Sequence, residues 1–161
     1  QQEVPREATE RALHLALERG MRVILNTAPV LDATAQMARR ASITVANETE
    51  FALIADDSAP LEAAMMRWAK DTGNTIIVTL GAAGARAATP DAFLSVPSPR
   101  IDPIDTVGAG DTFCGYLAAG LDTGLDLEHA MRRAAVAAAL ACLTPGAQPS
   151  IPLAAAVEAA V

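Results

Sequence analysis

Apolar residues along the first half of the chain repeat in the order helix, glycine, strand. Residues 5–19 carry apolar side chains at helical spacing and end at Gly20, and the short apolar run 21–25 follows. The elements predicted in this half are helices at 5–19, 33–40 and 59–71 and strands at 21–25, 42–46 and 74–80. Because these strands lack an alternating polar face, they predict a parallel sheet covered by helices.

The pattern of apolar segments changes after Gly84. Short segments separated by proline-containing turns predict antiparallel edge strands at 84–88, 92–96 and 100–104. The remainder is helical in pattern, with helices predicted at about 109–121, 126–143 and 152–160. The alanine-rich stretch 132–142 indicates a closely packed helix. The predicted fold class is therefore α/β, with a mostly parallel sheet.

Composition narrows the possible partners. The 161 residues suit one domain, and 52% hydrophobic with only 3% aromatic residues predicts a core of small aliphatic side chains. A net charge of −7 argues against nucleic acid and anionic lipid, although helix N-termini can still bind phosphate locally. Two isolated cysteines and no long apolar span predict a cytoplasmic protein without a membrane segment.

The segment with the most functional information runs from Asp105 to Phe113, with the sequence DTVGAGDTF. Small residues at 108–110 permit a sharp turn whose N–H groups point outward at the start of a helix. Such fixed dipoles stabilise charge that develops on a transferred phosphoryl group. Asp111, in the first turn of that helix, is placed to accept a proton from an attacking alcohol.

A bare G-x-G-D has simpler explanations. It is also compatible with a glycine-rich helix entry in which Asp111 is an ordinary first-turn acid. A Walker A loop is excluded, because the chain has no G-x-x-x-x-G-K-[ST] and Lys70 is its only lysine. The turn at Gly81 and Gly84 lacks the third small position and the downstream acid of a dinucleotide-binding fingerprint.

The complete string resembles the signature of the ribokinase-like, or PfkB, family of carbohydrate and nucleoside kinases. The resemblance implies a three-layer α/β/α fold in which Gly108, Ala109 and Gly110 form an anion hole and Asp111 is the catalytic base. It also implies ATP and Mg²⁺ as cofactors.

Two earlier segments extend the resemblance. Residues 26–29 are similar to the family's N-P-A-P turn, with Thr27 in place of the usual proline. Residues 47–50 are similar to its N-x-x-E motif, which implies that Asn47 and Glu50 hold Mg²⁺ through water and that Asn47 contacts the nucleotide. Without the family, N-x-x-E is more typical of a helix cap than of a metal site.

Two later segments complete it. The strand and turn at 77–84 resemble the nucleotide-lining segment of the family, which implies nucleotide contacts from Thr79, Gly81 and Gly84. The end of the chain resembles the ribokinase branch, whose equivalent loop binds an activating potassium ion. The monovalent-cation ligands implied in this way are Asp105, Val107, Ala141, Thr144, Gly146 and Ser150.

The resemblance covers residues 1–161 as the nucleotide-binding and catalytic portion of such a domain. The family's N-terminal sugar-binding half and lid have no counterpart, so we expect this chain to be a C-terminal portion with little activity by itself. The implied reaction is phosphoryl transfer from MgATP to a primary hydroxyl, of ribose or a similar sugar. Another family activity (fructokinase, adenosine kinase or sugar-phosphate kinase) and a catalytically silent nucleotide-binding module stay open, as does a homodimer of the full-length protein.

Overall fold

The computed structural model describes residues 2–55 and 57–161 and divides them into two compact units. The first contains the residues up to Thr79 together with Arg86–Leu94. The second contains Leu80–Ala85 together with Ser95–Val161.

The first unit alternates helices and strands, with two helices between its second and third strands. Its elements are α1 (Arg6–Glu18), β1 (Ile24–Asn26), α2 (Thr34–Ala38), β2 (Ile43–Asn47), α3 (Glu48–Ala55), α4 (Leu61–Thr72) and β3 (Thr75–Thr79). β1 pairs with β2 and β2 with β3, both parallel, with Ile43 opposite Ile24 on one side and Thr75 on the other. Four consecutive residues of β2 are buried, as expected for a parallel strand covered on both faces.

Two further strands complete a five-stranded sheet in the order β1-β2-β3-β4-β5, where β4 is Ala85–Ala88 and β5 is Phe93–Val96. The connections before β4 and before β5 are too short for a parallel crossover, so these pairs are antiparallel. The α/β prediction is confirmed, and the sheet is mixed.

The prediction of a third edge strand, at 100–104, is wrong. These residues form no strand. Pro103, within this segment, has no N–H to donate to a neighbouring strand. The Ile104 N–H donates instead to the carbonyl oxygen of Cys142 over 2.8 Å.

The second unit is mainly helical. Its helices are α5 (Ala109–Asp122), α6 (Leu127–Ala141) and α7 (Ala154–Glu158), and it has 3-10 turns at Gly81–Ala83 and Gln148–Ser150. Asp126 caps α6 by accepting the His129 N–H over 2.9 Å. A methyl group at Gly120 of α5 would lie 3.1 Å from Ala130 Cβ of α6, so these helices touch almost backbone to backbone. This confirms the close packing predicted for the alanine-rich helix.

No helix in the described part of the chain is long and apolar enough to cross a lipid bilayer.

Candidate active site

The glycine turn before α5 has the backbone conformation that its sequence predicts. Gly108 has φ 77°, in the left-handed region, and it is the residue before the first turn of α5. A Cβ at Gly108 would lie 3.1 Å from both Cα and Cβ of Ala147. Glycine is therefore required here both by the torsion angle and by the close approach of the 147 backbone. Asp111 follows in the first helical turn and is exposed.

The N–H groups of this turn can be followed one by one. Ala109 donates to the carbonyl oxygen of Thr106 over 3.3 Å, beyond the usual N–H···O range, and Thr112 donates to Gly108 over 2.9 Å. Among residues 2–55 and 57–161, the N–H groups of Gly108 and Gly110 donate to no protein acceptor. Two of the three predicted anion-hole donors are thus available, and the third makes one weak internal bond.

Asp105 connects the loop before α5 to the loop after α6. One carboxylate oxygen, Oδ2, accepts the Gly146 N–H over 2.8 Å, and Oδ1 accepts the Val107 N–H over 3.0 Å. The Asp105 N–H itself donates to the Cys142 carbonyl over 3.2 Å. The pKa of the Asp105 carboxyl lies below its ordinary value, because the N–H groups of Gly146, and then of Val107 and Thr106, stabilise the charged form.

The remaining predicted cation ligands lie at the last residue of α6, Ala141, and in the loop that follows it. Ala141 accepts the Thr144 N–H over 3.3 Å, and the buried Ser150 hydroxyl donates to the Ala147 carbonyl over 2.7 Å. Gly146 has φ 90°, which allows the loop to turn back. The structure thus brings Asp105 and Gly146 into contact. It leaves the cation-binding role of all six residues a prediction.

Asn47 and Glu50 form a reciprocal cap at the start of α3, in the first unit. The Glu50 N–H donates to Asn47 Oδ1 over 2.8 Å, and the Asn47 N–H donates to Glu50 Oε2 over 3.0 Å. In addition, Asn47 Nδ2 donates to Glu50 Oε1 over 2.8 Å. The capping alternative raised by N-x-x-E is therefore present. It does not exclude metal binding, because a carboxylate has about four lone-pair positions.

Glu50 also has a partner outside its own helix. The Thr27 hydroxyl lies 2.8 Å from Glu50 Oε2, and Thr27 is fully buried just beyond the end of β1. We did not predict this contact, because 23 residues separate the two positions. The available signal was the departure from the family pattern: a hydroxyl where a proline is usual.

The predicted nucleotide-lining residues belong to both units. In the first unit, Thr79 ends β3 with its hydroxyl 3.4 Å from the Ala46 carbonyl. In the second unit, Gly81 and Gly84 both have positive φ, and Leu80 N–H donates to the Gly84 carbonyl over 2.8 Å. A Cβ at Gly84 would overlap the Val96 carbonyl oxygen, so only glycine fits. Nucleotide contacts from Asn47 and these three residues remain predictions.

The described residues contain no group of three or more His, Cys, Asp or Glu side chains that could hold a metal ion. The carboxylates of Glu50 and Asp105 are oxygen ligands of the kind that hard cations accept. Their chemistry fits the Mg²⁺ and potassium sites implied by the sequence resemblance, and both sites stay predictions.

Comparison with known families decides the classification. The model of the pfkB family of carbohydrate kinases matches residues 1–154. The chain belongs to the PfkB family. The glycine turn, Asp111 and the N-x-x-E pair therefore occur in a member of a sugar kinase family.

Curated relatives share sequence over nearly the whole chain. The deoxyribokinase of Salmonella typhi is 36% identical over 157 residues, which is 94% of this chain and 51% of the relative. The ribokinase of Bacillus subtilis is 32% identical over 152 residues, 94% of this chain and 50% of the relative. The chain thus spans about half the length of these two relatives, and it matches their C-terminal part.

Solved structures give the same result at the level of the fold. The ribokinase of Thermotoga maritima has a TM-score of 0.84 at 28% identity, covering 94% of this chain and 52% of the other. A fructokinase of Vibrio cholerae has a TM-score of 0.82 at 27% identity, covering 96% of this chain and 55% of the other. The fold is that of the ribokinase-like kinases, represented by part of their length.

Proposed function

We propose that the protein containing this chain transfers the γ-phosphoryl group of ATP, with Mg²⁺, to a primary hydroxyl of ribose or a closely related sugar. The observation that carries the proposal is the turn at 108–110 directly before the exposed Asp111, where the Gly108 and Gly110 N–H groups donate to no acceptor among the described residues. Family membership supports a sugar kinase, and the relatives named ribokinase support ribose.

In this proposal Asp111 accepts the proton of the sugar hydroxyl as that oxygen attacks phosphorus. The Gly108 and Gly110 N–H groups, aided by the positive end of the α5 dipole, stabilise the negative charge that develops on the phosphoryl oxygens. Glu50 and Asn47 hold hydrated Mg²⁺, which neutralises phosphate charge. Because phosphoryl transfer needs little covalent chemistry from the protein, positioning and charge stabilisation account for most of the catalysis.

The proposal assigns the other predicted residues to two supporting tasks. Thr79, Gly81 and Gly84 line the nucleotide, where a side chain on either glycine would be strained. The loop held by Asp105 and Gly146 binds a potassium ion that stabilises the turn before α5. A potassium ion is bound in the Vibrio cholerae fructokinase structure, together with fructose and ADP, which supports this assignment.

Replacing Asp111 by Asn in the full-length protein tests the proposal. The amide keeps the shape but cannot accept the proton, so we expect turnover to fall by about 10²–10⁴-fold while ATP affinity changes little. Turnover is measured as ribose-dependent release of ADP, and ATP affinity by calorimetry. Asp122→Asn, at the other end of α5, is the matched control and should leave turnover unchanged. Equal turnover in both variants would refute the role of Asp111.

A second sugar is favoured by particular relatives. The Salmonella typhi relative is a deoxyribokinase, and one structural neighbour is a fructokinase. A panel of ribose, 2-deoxyribose and fructose compares these substrates, and we expect the highest kcat/KM for ribose, because several of the relatives are named ribokinase. A higher kcat/KM for 2-deoxyribose or fructose would support the kinase activity but show that ribose is not the preferred substrate. If the protein binds nucleotide but releases ADP with none of the three sugars, it is a silent nucleotide-binding protein.

A further inference from the structure

Thr27 lies at the first position after β1, where the chain leaves the sheet. Its N–H donates to the Val45 carbonyl of β2 over 3.0 Å, which extends the parallel pairing by one residue. Its own carbonyl accepts the Gln2 side-chain amide over 3.3 Å, and its side chain is fully buried. The backbone of Thr27 is therefore held on both sides, and the position of its hydroxyl is fixed.

That hydroxyl has two acceptors within reach and one proton to donate. The Val45 carbonyl oxygen is 3.3 Å away, and Glu50 Oε2 is 2.8 Å away. Hydrogen bonds from O–H to a carboxylate are shorter and about twice as strong as those between neutral groups. The proton therefore goes to Glu50.

The Glu50 carboxylate is then held unequally at its two oxygens. Among the described residues, Oε2 accepts both the Thr27 hydroxyl and the Asn47 N–H, whereas Oε1 accepts only Asn47 Nδ2. Since each carboxylate oxygen has about two lone-pair positions, Oε2 is saturated and Oε1 retains one. The side chain is oriented as a whole, with one oxygen left to bind something else.

We propose that Thr27 is a positioning residue, which fixes Glu50 so that Oε1 faces the hydrated Mg²⁺ of the nucleotide complex. This rests on the proposed kinase function. A proline at position 27 would have neither an N–H nor a hydroxyl, so it could not donate the hydrogen bonds that Thr27 donates to Val45 and Glu50.

The test measures how much a metal ion tightens nucleotide binding in the full-length protein. Calorimetry gives the Kd of ADP with EDTA and with MgCl2, and the ratio of the two is the metal-dependent gain. Thr27→Val keeps the shape and removes the hydroxyl, whereas Thr27→Ser keeps the hydroxyl. Thr44→Val is the matched control, because Thr44 is a fully buried threonine whose hydroxyl donates to the Ala38 carbonyl over 2.9 Å, away from Glu50.

We expect Thr27→Val to reduce the metal-dependent gain by about tenfold, as commonly follows when a metal ligand loses its outer hydrogen-bond partner. Metal-free ADP affinity should not change. Thr27→Ser and Thr44→Val should stay within about twofold of the original ratio, on the same reasoning. Urea unfolding is measured in parallel and should show similar destabilisation in the two valine variants. If Thr27 had a purely structural role, the metal-dependent gain would then change equally in both. Thr27→Ala serves in the same comparison if the valine variant does not fold.

An unchanged ratio in Thr27→Val, with sugar-dependent ADP release intact in the unmodified protein, would overturn the role of Thr27 and leave the kinase function standing. A protein that neither gains affinity from Mg²⁺ nor releases ADP with any sugar would overturn the proposed function, and the role of Thr27 with it.

Discussion

Two glycines of the same turn are explained by different parts of the structure. Gly108 has a positive φ and lies against the Ala147 backbone, so the fold itself requires glycine there. Gly110 has neither constraint: it lies inside α5, and a Cβ would find nothing within 4 Å. Glycine is among the poorest residues for a helix, so its presence at 110 needs another reason. In the proposed mechanism that reason is the approach of a phosphoryl group.

Gly110→Ala therefore separates function from stability. The added methyl group should leave the free energy of unfolding unchanged or raise it by up to about 1 kcal/mol, because alanine favours the helix. Turnover should fall by about a hundredfold, since small displacements of reacting groups have effects of that size. Urea unfolding and ribose-dependent ADP release measure the two quantities.

Gly115→Ala is the matched control for Gly110→Ala. It lies in the same helix, and a Cβ there also meets nothing within 4 Å. It should show the same change in stability with turnover intact. Equal turnover in both variants would contradict a phosphate site at the turn.

Local motifs of adjacent residues could be predicted from the sequence, whereas hydrogen bonds between distant residues could not. The glycine turn and Asp111 were predictable, because the residues that make the turn are adjacent in the chain. The bond from Gly146 to Asp105 spans 41 residues and the bond from Thr27 to Glu50 spans 23, so both depend on how strands and loops meet. No local pattern encodes such distances. The sequence marked each residue of these pairs without showing that they touch.

At the scale of elements, α7 shows how a very short helix is held. Its five residues place Val157, which is fully buried, in a cluster with Val136 and Ala137 of α6. The Tyr116 hydroxyl donates to the Pro152 carbonyl over 2.7 Å, just before the helix, and Arg133 pairs with Glu158 at its end. A helix this short is marginal alone, so packing rather than propensity determines it.

Val157→Ala should therefore weaken the second unit. Loss of two buried methyl groups, together with the cavity that they leave, should lower the free energy of unfolding by about 2 kcal/mol. The same substitution at Val161, which is 53% exposed, should change it by less than about 0.5 kcal/mol. Urea unfolding followed by circular dichroism compares the two. Similar values would show that the cluster does not hold α7.

Predicted elements were most accurate where apolar periodicity was long. The helices predicted at 109–121 and 126–143 correspond to α5 and α6 within two residues at each end. The prediction at 152–160 was too long for α7, because alanines continue the helical pattern beyond the residues that packing holds. At 100–104 the apolar residues resembled a strand, but Pro103 has no N–H for a ladder and the Ile104 N–H donates to the Cys142 carbonyl.

At the scale of the whole molecule, the chain is strongly acidic, with a net charge of −7, yet several carboxylates are stabilised in the charged form. Backbone N–H groups lower the pKa of Asp105, as described above. The pKa of Asp57 is lowered by the Ala59 N–H and by Arg67, and that of Asp126 by the N–H and ring of His129. In each case the group that stabilises the charge is brought into place by the folded chain.

These shifts predict how stability depends on pH. A carboxyl whose pKa is lower in the folded state binds its proton more readily when the chain unfolds, so acid favours unfolding. Its contribution is complete above its ordinary pKa of 3.8 and is lost as the pH falls through that value towards the folded one. The free energy of unfolding should therefore decrease as the pH is lowered from about 5 to 3, the range just around the ordinary Asp pKa.

Asp105→Asn isolates one of these contributions. Asp105 accepts hydrogen bonds from the N–H groups of Gly146 and Val107. In the variant, the amide NH2 would face one of these two donors, so the variant should be less stable at pH 7. It has no carboxyl to protonate, so the difference in unfolding free energy between the original chain and the variant should shrink steadily below about pH 4. Asp126→Asn, which removes a carboxyl whose pKa is lowered by His129, should show the same sign at an unrelated position. A difference that stays constant from pH 7 to pH 3 would mean that the bonds from Gly146 and Val107 do not stabilise the charged carboxylate, and the connection between the two loops would then need another explanation.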